Sequence, residues 1–251
     1  MDTTKKFDGL AADYAASRPN YAKELINYLY GECGFSTSSV IADIGSGTGK
    51  FAVHLLERGS TVYCVEPNDD MRSAAERELQ KYAGFRSVNG GAEDTTLAAG
   101  TVDFVTTAQA FHWFDTARFG KECQRILKKG GRAVLVWNVR DGDDLPNKEL
   151  HSVFSRFCPD FNGFSGGMTK DDPRIKAFFG GGYERVAFDN PLYLDHERFI
   201  SRCLSGSYSL KAGDRDYCEY METLHSLFDR LSENGIVRIS NSSVAYIGNV
   251  E

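Results

Sequence analysis

A glycine-rich turn between an apolar run and a helical pattern constrains the fold of this chain most strongly. Residues 41–59 read IADIGSGTGKFAVHLLERG, with three glycines that alternate with other residues. The β-branched run at 39–45 predicts a buried strand, and the apolar spacing over 50–58 predicts a helix that ends at Gly59. A strand that passes through glycines into a helix leaves backbone N–H groups free at the helix start, which favours an α/β fold with a ligand-binding loop.

Short apolar runs alternate with helical patterns through the first half of the chain. Strands and helices interleaved in this way predict βαβ units around a parallel sheet. Further strands are predicted at 61–67, 85–91, 101–111 and 132–139, with helices at 69–83 and 116–129.

The second half is less regular, and its pattern predicts a small cap. With no internal repeat and no low-complexity linker, residues 1–251 are interpreted as a single domain, with a core at 7–139 and a cap with the last strands at 141–235. In this half, helices are predicted near 147–158 and 171–179, an alternating run at 183–195 and one closing strand at 237–250.

Composition and charge disfavour several kinds of protein. The net charge of −6 and the lack of a Lys/Arg run give no reason to expect a nucleic-acid partner. No apolar run reaches membrane-spanning length and residues 1–21 lack a signal-peptide core, so a cytoplasmic protein without a membrane partner is expected. The six cysteines form no C-x-x-C pair, so we expect reduced thiols and no metal site. A monomer and a homodimer are both compatible with the sequence.

The glycine loop departs from the two common nucleotide-binding motifs. A Walker A loop requires Gly-x4-Gly-Lys-Ser/Thr, but Ile44 occupies its first glycine position and Phe51 its hydroxyl position. The dinucleotide fingerprint requires Gly-x-Gly-x-x-Gly, and its third glycine falls on Lys50. ATP and NAD are therefore poor candidates for the ligand of this loop.

Two carboxylates beside the loop indicate a different ligand. Asp43 ends the first predicted strand and can orient water or accept a ligand ammonium. Glu66 ends the second strand, where a carboxylate can accept hydrogen bonds from both hydroxyls of a ribose. The bare loop between them can pass beneath a ribose and an amino-acid backbone. The ligand so implied is an adenosine that carries an amino acid instead of phosphates, which describes S-adenosylmethionine.

Four segments, in order, resemble motifs of the class I S-adenosylmethionine-dependent methyltransferases of the type 11 kind. IADIGSGTGK is similar to the glycine-rich first motif and VYCVEPNDDM to the acidic second-strand motif. GGAEDTTLAAGTVDFVTTAQAFHWF and RILKKGGRAVLVWN resemble the regions of strands three to five. The resemblance covers residues 7–139. SRPNY at 17–21, together with AFHWF at 110–114, is similar to the branch that contains trans-aconitate methyltransferases.

The resemblance implies a fold and a set of cofactor-binding residues. The fold is a three-layer α/β/α Rossmann-like architecture whose seven-stranded, mostly parallel sheet has the order 3-2-1-4-5-7-6, with an antiparallel seventh strand. The residues placed at the methionine and ribose are Asp43, Gly45, Ser46, Gly47, Gly49 and Glu66. Those placed at the adenine are Asn68, Met71, Ala92 and Glu93, while Gln109 lies under the reacting centre and Tyr14 and Arg18 cover the cofactor.

Side chains after strands four and five are candidates for binding the methyl acceptor. His112 and Trp113 follow the fourth strand, and Trp137 and Asn138 end the fifth, where ligands bind in sheets of this kind. A packed aromatic corner is an alternative interpretation of the first pair. His112 is the candidate catalytic base if the acceptor must lose a proton, and the aromatic faces suit a sulfonium.

The resemblance implies methyl transfer by in-line displacement to an oxygen or nitrogen of a small molecule. Two alternatives stay open, a macromolecular acceptor and a catalytically inactive S-adenosylmethionine-binding partner or regulatory protein. The acidic charge disfavours a nucleic-acid acceptor. The intact first motif with Glu66 disfavours the inactive protein.

Overall fold

The computed structural model describes residues 19–164 and 172–250. Its helices are α1 (Lys23–Gly31), α2 (Ala52–Glu57), α3 (Asp69–Leu79), α4 (Thr116–Ile126), α5 (Leu145–Phe157), α6 (Pro173–Phe178), α7 (His196–Leu204) and α8 (Tyr217–Leu231), with a 3-10 turn at Phe111–Trp113. Its strands are β1 (Val40–Ile44), β2 (Thr61–Val65), β3 (Phe85–Val88), β4 (Val102–Ala108), β5 (Leu127–Arg140), β6 (Tyr183–Asp189), β7 (Leu192–Leu194), β8 (Val237–Ile239) and β9 (Asn241–Gly248).

Seven strands form one mixed sheet with the order β3-β2-β1-β4-β5-β9-β6. The strands β1 to β5 pair in parallel, and β9 is antiparallel to both β5 and β6. Because β9 is the seventh strand of this sheet along the chain, the predicted order 3-2-1-4-5-7-6 is confirmed. The strand order reverses between β1 and β4, and ligands of such sheets bind in the crevice beyond the carboxyl ends of these strands.

Side chains alternate between the two faces of the sheet, so each inner strand contributes to two cores. In β1, Ile41 belongs to the core shared with α1, α2 and α3, whereas Ala42 and Ile44 belong to the core shared with α4 and α6. In β5, Val136 faces the first core and Leu135 the second. Burial on both faces produces the three-layer architecture that the resemblance implied.

A third hydrophobic cluster joins α5, α7 and α8 to the small antiparallel sheet of β7 and β8. Phe154, Phe199 and Tyr220 are fully buried in this cluster. The second half of the chain therefore buries apolar surface separately from the main sheet, around its own short strands.

The prediction of a single closing strand at 237–250 is wrong. β8 and β9 belong to different sheets and are separated at Ser240. Ser240 Oγ donates a hydrogen bond of 2.7 Å to Asp144 Oδ1, and Ser240 N donates one of 3.2 Å to Asp144 Oδ2. This bend depends on a residue 96 positions earlier in the chain, so no local pattern reports it.

The described residues contain no membrane-spanning helix, no disulfide and no candidate metal site. In the described ranges, no helix is long and apolar enough to cross a bilayer. All six cysteines are free thiols, of which Cys218 is exposed and the others are buried. Within residues 19–164 and 172–250, no group of three or more His, Cys, Asp and Glu side chains could hold a metal ion.

Candidate active site

The three loop glycines between β1 and α2 differ in what surrounds them: two are closely packed and one borders open space. Gly45 and Gly49 have φ angles of 66° and 80°. A Cβ on Gly45 would lie 2.7 Å from the Ala110 Cβ, and one on Gly49 would overlap the Leu79 side chain. Gly47 has a φ of 56°, but a Cβ there would meet nothing within 4 Å. Packing therefore requires glycine at the first and third positions, whereas the second position borders open space.

Glu66 connects the glycine loop to the end of β2. Its Oε2 accepts a hydrogen bond of 2.9 Å from Gly47 N, and its Oε1 accepts another of 2.9 Å from Asn68 N. Burial raises the pKa of this carboxyl, against the opposing effect of the two N–H donors. Because a carboxylate offers about four lone-pair positions, each oxygen of the half-buried Glu66 keeps capacity for another donor.

Asp43 places a buried carboxyl beneath the same loop. Its side chain is 1% exposed, and its Oδ1 accepts a hydrogen bond of 2.7 Å from Thr106 Oγ1. Its Oδ2 has no hydrogen-bond partner among the residues that the structure describes. Burial raises the pKa of Asp43 to about 7; the Thr106 hydroxyl lowers it and the Glu66 carboxylate raises it. A buried polar atom without a partner is costly, and a ligand ammonium or N–H group would satisfy this one.

The raised pKa of Asp43 predicts how the stability of the ligand-free protein depends on pH. Because the folded state retains a proton that the unfolded chain releases near pH 4, the free energy of unfolding should fall as pH rises from about 4 to about 7. The slope contributed by one such group is at most about 1.4 kcal/mol per pH unit. Urea titrations at several pH values measure it. Asp43→Asn should flatten the curve, and parallel curves for the two proteins would contradict this prediction.

Asn68 and Met71 lie at the start of α3, directly after β2. Asn68 Oδ1 accepts a hydrogen bond of 2.9 Å from Met71 N and so caps the helix. Both side chains are buried. The cap gives a local reason for asparagine at this position, and the adenine contacts of both residues stay a prediction.

Ala92 and Glu93 lie in a tight turn between β3 and β4. Gly91 N donates a hydrogen bond of 3.0 Å to Asp94 O, which closes the turn around both residues. Glu93 Oε1 accepts a hydrogen bond of 2.8 Å from Asp115 N, at the start of α4. The turn is thus attached to the helix that follows β4, and Ala92 is buried within it.

Glu122 supports this turn, and sequence reasoning missed it. The carboxylate is 7% exposed, and its Oε1 accepts hydrogen bonds from Thr95 N (2.8 Å) and Thr95 Oγ1 (2.5 Å). Arg125 donates two further bonds of 2.7 Å. Burial opposes ionisation, but these donors outweigh it and hold the pKa of Glu122 below its ordinary value. The available signal was a glutamate on the apolar face of α4, beside Cys123 and one turn after Phe119.

Gln109 ends β4 in a backbone conformation that is rare for residues with a side chain. Its φ is 59°, in the left-handed region, and such residues cluster at functional sites. Its N–H donates a hydrogen bond of 2.9 Å to Val136 O, and its Nε2 donates one of 3.3 Å to Asn138 O. This turn ends the strand at Ala108, so the predicted strand 101–111 extends three residues too far at its C-terminal end.

The aromatic segment after Gln109 is divided between the core and the surface. Phe111 is fully buried, and its ring centroid lies 6.0 Å from that of Trp137. His112 is half-buried, Trp113 is 37% exposed, and their ring centroids are 4.8 Å apart. Phe111 thus forms a packed aromatic contact with Trp137, Trp113 is partly exposed, and the acceptor-binding role of His112 and Trp113 stays a prediction.

Trp137 and Asn138, at the end of β5, are largely enclosed. Trp137 is 3% exposed and packs beside Tyr246, with ring centroids 5.8 Å apart. Asn138 is 7% exposed; its Nδ2 donates a hydrogen bond of 3.1 Å to Asn20 O, and its Oδ1 accepts one of 2.6 Å from Ser243 Oγ. Little of either side chain is accessible to an acceptor, and their acceptor-binding role stays a prediction.

Tyr14 and Arg18 lie outside the described residues. The segment that follows them is hydrogen-bonded to the sheet. Asn190 Nδ2 donates a bond of 2.7 Å to Asn20 O, and Ser243 Oγ accepts one of 2.9 Å from Ala22 N. The described chain therefore begins beside the carboxyl end of β5.

Comparisons with known proteins agree with this geometry. Residues 42–135 match the family described as methyltransferase domain. An uncharacterized methyltransferase of Mycobacterium tuberculosis is 36% identical over 155 residues, which cover 62% of this chain and 61% of that protein. An uncharacterized methyltransferase-like protein of Schizosaccharomyces pombe is 31% identical over 162 residues, 64% of this chain and 62% of that protein.

Solved structures share the fold over nearly the whole chain. A protein from Anaeromyxobacter dehalogenans, provisionally assigned as a type II methyltransferase, aligns with a TM-score of 0.67 at 20% identity, over 92% of this chain and 97% of that one. The YcgJ protein from Bacillus subtilis aligns with a TM-score of 0.58 at 18% identity, over 91% and 99%. At these identities the likeness establishes the fold alone.

The sheet order and the solved structures show the Rossmann-like methyltransferase fold, and residues 42–135 match the methyltransferase domain family. The matched part spans 61% and 62% of the length of the mycobacterial and yeast relatives.

Proposed function

We propose that the protein transfers a methyl group from S-adenosylmethionine to an oxygen or nitrogen atom of a small molecule. One observation carries this proposal. Three features with capacity for a ligand meet at the carboxyl ends of β1 and β2: the open backbone of Gly47, the partly used carboxylate of Glu66, and Asp43 Oδ2, which has no hydrogen-bond partner among the described residues.

Each feature suits one part of the cofactor. Glu66 keeps lone pairs on both oxygens, which two adjacent ribose hydroxyls would use. Asp43 Oδ2 would accept a hydrogen bond from an amino-acid ammonium, directly or through water. Gly47 has no side chain to obstruct a ligand that crosses the loop. When bound, the cofactor supplies an electrophilic methyl group on a sulfonium.

The segment at 110–114 forms the other side of the crevice. It is held close to the glycine loop, since a Cβ on Gly45 would lie 2.7 Å from the Ala110 Cβ and 3.0 Å from the Phe114 ring. His112 in this segment is half-buried, and Trp113 is exposed. In-line displacement requires an aligned acceptor and a site from which water is excluded, and these aromatic rings are suited to both tasks.

Charge supports a small-molecule acceptor over a nucleic acid. The net charge is −6, and recognition of DNA or RNA depends on basic patches that neutralise phosphates. The names of the relatives specify methyltransferases without an acceptor, so the acceptor class rests on this chain's own residues.

Titration calorimetry followed by a turnover assay tests the proposal. The protein should bind S-adenosylmethionine and S-adenosylhomocysteine, and should bind NAD and ATP far more weakly. With a panel of small acids, alcohols and amines, formation of S-adenosylhomocysteine should identify an acceptor. Comparable affinity for NAD would contradict the cofactor assignment. Tight cofactor binding without turnover on any acceptor would instead favour a regulatory protein.

The effect of His112→Ala should depend on the acceptor. A carboxylate acceptor is already ionised at neutral pH and needs no base, so turnover should change by less than about tenfold. A hydroxyl acceptor keeps its proton, and loss of a general base should then lower turnover by at least about a hundredfold. We expect the smaller effect, because SRPNY together with AFHWF resembles the branch that contains trans-aconitate methyltransferases, which points to an acid acceptor. A hundredfold loss, with a wild-type rate that rises through the histidine titration, would contradict this expectation.

A further inference from the structure

We propose that Glu122 is a positioning residue for the adenine end of the cofactor and that it acts through Thr95 on the turn formed by residues 90–95. This inference rests on the proposed function, because it takes Ala92 and Glu93 in that turn as the adenine-binding residues. Glu122 itself lies beneath the turn on α4 and is not expected to contact the cofactor.

Glu122 holds Thr95 by two buried hydrogen bonds. One carboxylate oxygen accepts bonds from both the backbone N–H and the hydroxyl of Thr95, at 2.8 Å and 2.5 Å. The same hydroxyl accepts a bond of 3.3 Å from Leu97 N. Thr95 is fully buried. Since buried bonds to a charged group are stronger than neutral ones, this contact fixes the position of the end of the turn.

The geometry of the turn couples the position of Thr95 to that of Ala92 and Glu93, the residues proposed to contact the adenine. A Cβ on Gly90 would lie 2.8 Å from Thr95 O, so the two ends of the turn are in close contact. The bond from Gly91 N to Asp94 O closes the turn between them. Because the two ends of the turn are in contact and the turn is closed between them, a displacement of Thr95 is expected to displace Ala92 and Glu93 as well.

The second attachment of the turn is weaker. Glu93 Oε1 accepts a single bond from Asp115 N at an exposed position. Exposed hydrogen bonds and ion pairs contribute little because solvent competes for both groups. Glu122 is therefore expected to dominate the placement of the turn, although it is further from the crevice.

Calorimetry with two ligands that differ only in the base tests this role. S-adenosylhomocysteine and S-inosylhomocysteine share the ribose and the amino acid. The dissociation constant for S-inosylhomocysteine divided by that for S-adenosylhomocysteine, called the ratio below, therefore reports contacts to the adenine edge alone. Glu122→Gln retains the size of the side chain but loses the charge. It should raise the dissociation constant for S-adenosylhomocysteine by about tenfold and lower the ratio by at least about threefold.

Thr95→Val and the double variant show whether Glu122 acts through Thr95. Thr95→Val removes the hydroxyl and should lower the ratio in the same direction, with effects in the double variant that are smaller than additive. Glu78→Gln, on the exposed side of α3, is the matched control and should leave both constants unchanged. If Glu122→Gln does not fold, Thr95→Val alone decides the outcome.

The outcomes separate this proposal from the proposed function. A folded Glu122→Gln with an unchanged ratio, or additive effects in the double variant, would overturn the positioning role while wild-type binding of S-adenosylhomocysteine still supports a methyltransferase. Wild-type protein that binds neither ligand would instead overturn the proposed function.

Discussion

Glu66→Ala is expected to weaken binding of S-adenosylhomocysteine by about a hundredfold. The substitution removes the acceptor proposed for the ribose hydroxyls and also the two bonds that hold Gly47 N and Asn68 N. Hydrogen bonds to charged groups contribute about 1.5–3 kcal/mol each. A hundredfold rise in the dissociation constant corresponds to about 2.8 kcal/mol, which lies within the loss expected from such bonds. The loop and the ligand thus depend on the same carboxylate.

Titration calorimetry on the folded variant measures this effect. Glu66→Gln retains one acceptor oxygen and should show a loss nearer tenfold. Glu78→Ala, an exposed glutamate on α3, should bind like the wild type. An unchanged dissociation constant for folded Glu66→Ala would show that this carboxylate does not hold the ribose.

Gly49→Ala is expected to lower mainly the stability of the protein, whereas Gly47→Ala is expected to weaken mainly the binding of the cofactor. At Gly49 the new Cβ overlaps Leu79, and the φ of 80° is unfavourable for alanine. A left-handed residue costs about 1–2 kcal/mol and overpacking about 1–3 kcal/mol, so the midpoint of thermal unfolding should fall by roughly 5–15 °C. At Gly47, with a φ of 56°, nothing lies within 4 Å of the Cβ, so stability should fall only by the left-handed cost of about 1–2 kcal/mol.

Cofactor affinity should be affected chiefly in the Gly47→Ala variant. Gly47→Ala places a methyl group in the open space beside Glu66 and should weaken cofactor binding in a protein that is less destabilised than Gly49→Ala. Thermal unfolding with and without S-adenosylhomocysteine measures both effects. A stable Gly49→Ala, or a Gly47→Ala that binds as tightly as the wild type, would contradict the division of roles among the loop glycines.

Much of the central fold could be predicted because its signals are local. The apolar runs that form β1, β2 and β4 are buried on both faces of a parallel sheet, and such strands read as short continuous hydrophobic segments. The glycine loop with Asp43 and Glu66 could be located for the same reason, since Asp43 is the penultimate residue of β1 and Glu66 comes directly after β2. The order of the strands required the family resemblance as well.

Other features could not be read from the sequence because they depend on distant contacts. The break at Ser240 depends on Asp144, and the burial of Asn138 depends on Asn20 and Ser243. Local composition cannot show that the amide of Asn138 is already bonded to the backbone carbonyls of Pro19 and Asn20.

The sequence by itself determined the fold class, the glycine loop, its two carboxylates and the exclusion of the Walker A and dinucleotide motifs, because these are set by residue type and spacing within short segments. Only the tertiary structure decided which loop glycine borders open space, that Trp137 is enclosed, and that Glu122 supports the turn of Ala92. The physical reason is that packing and buried hydrogen bonds join residues far apart in the chain, and their partners exist only once the sheet and helices have assembled.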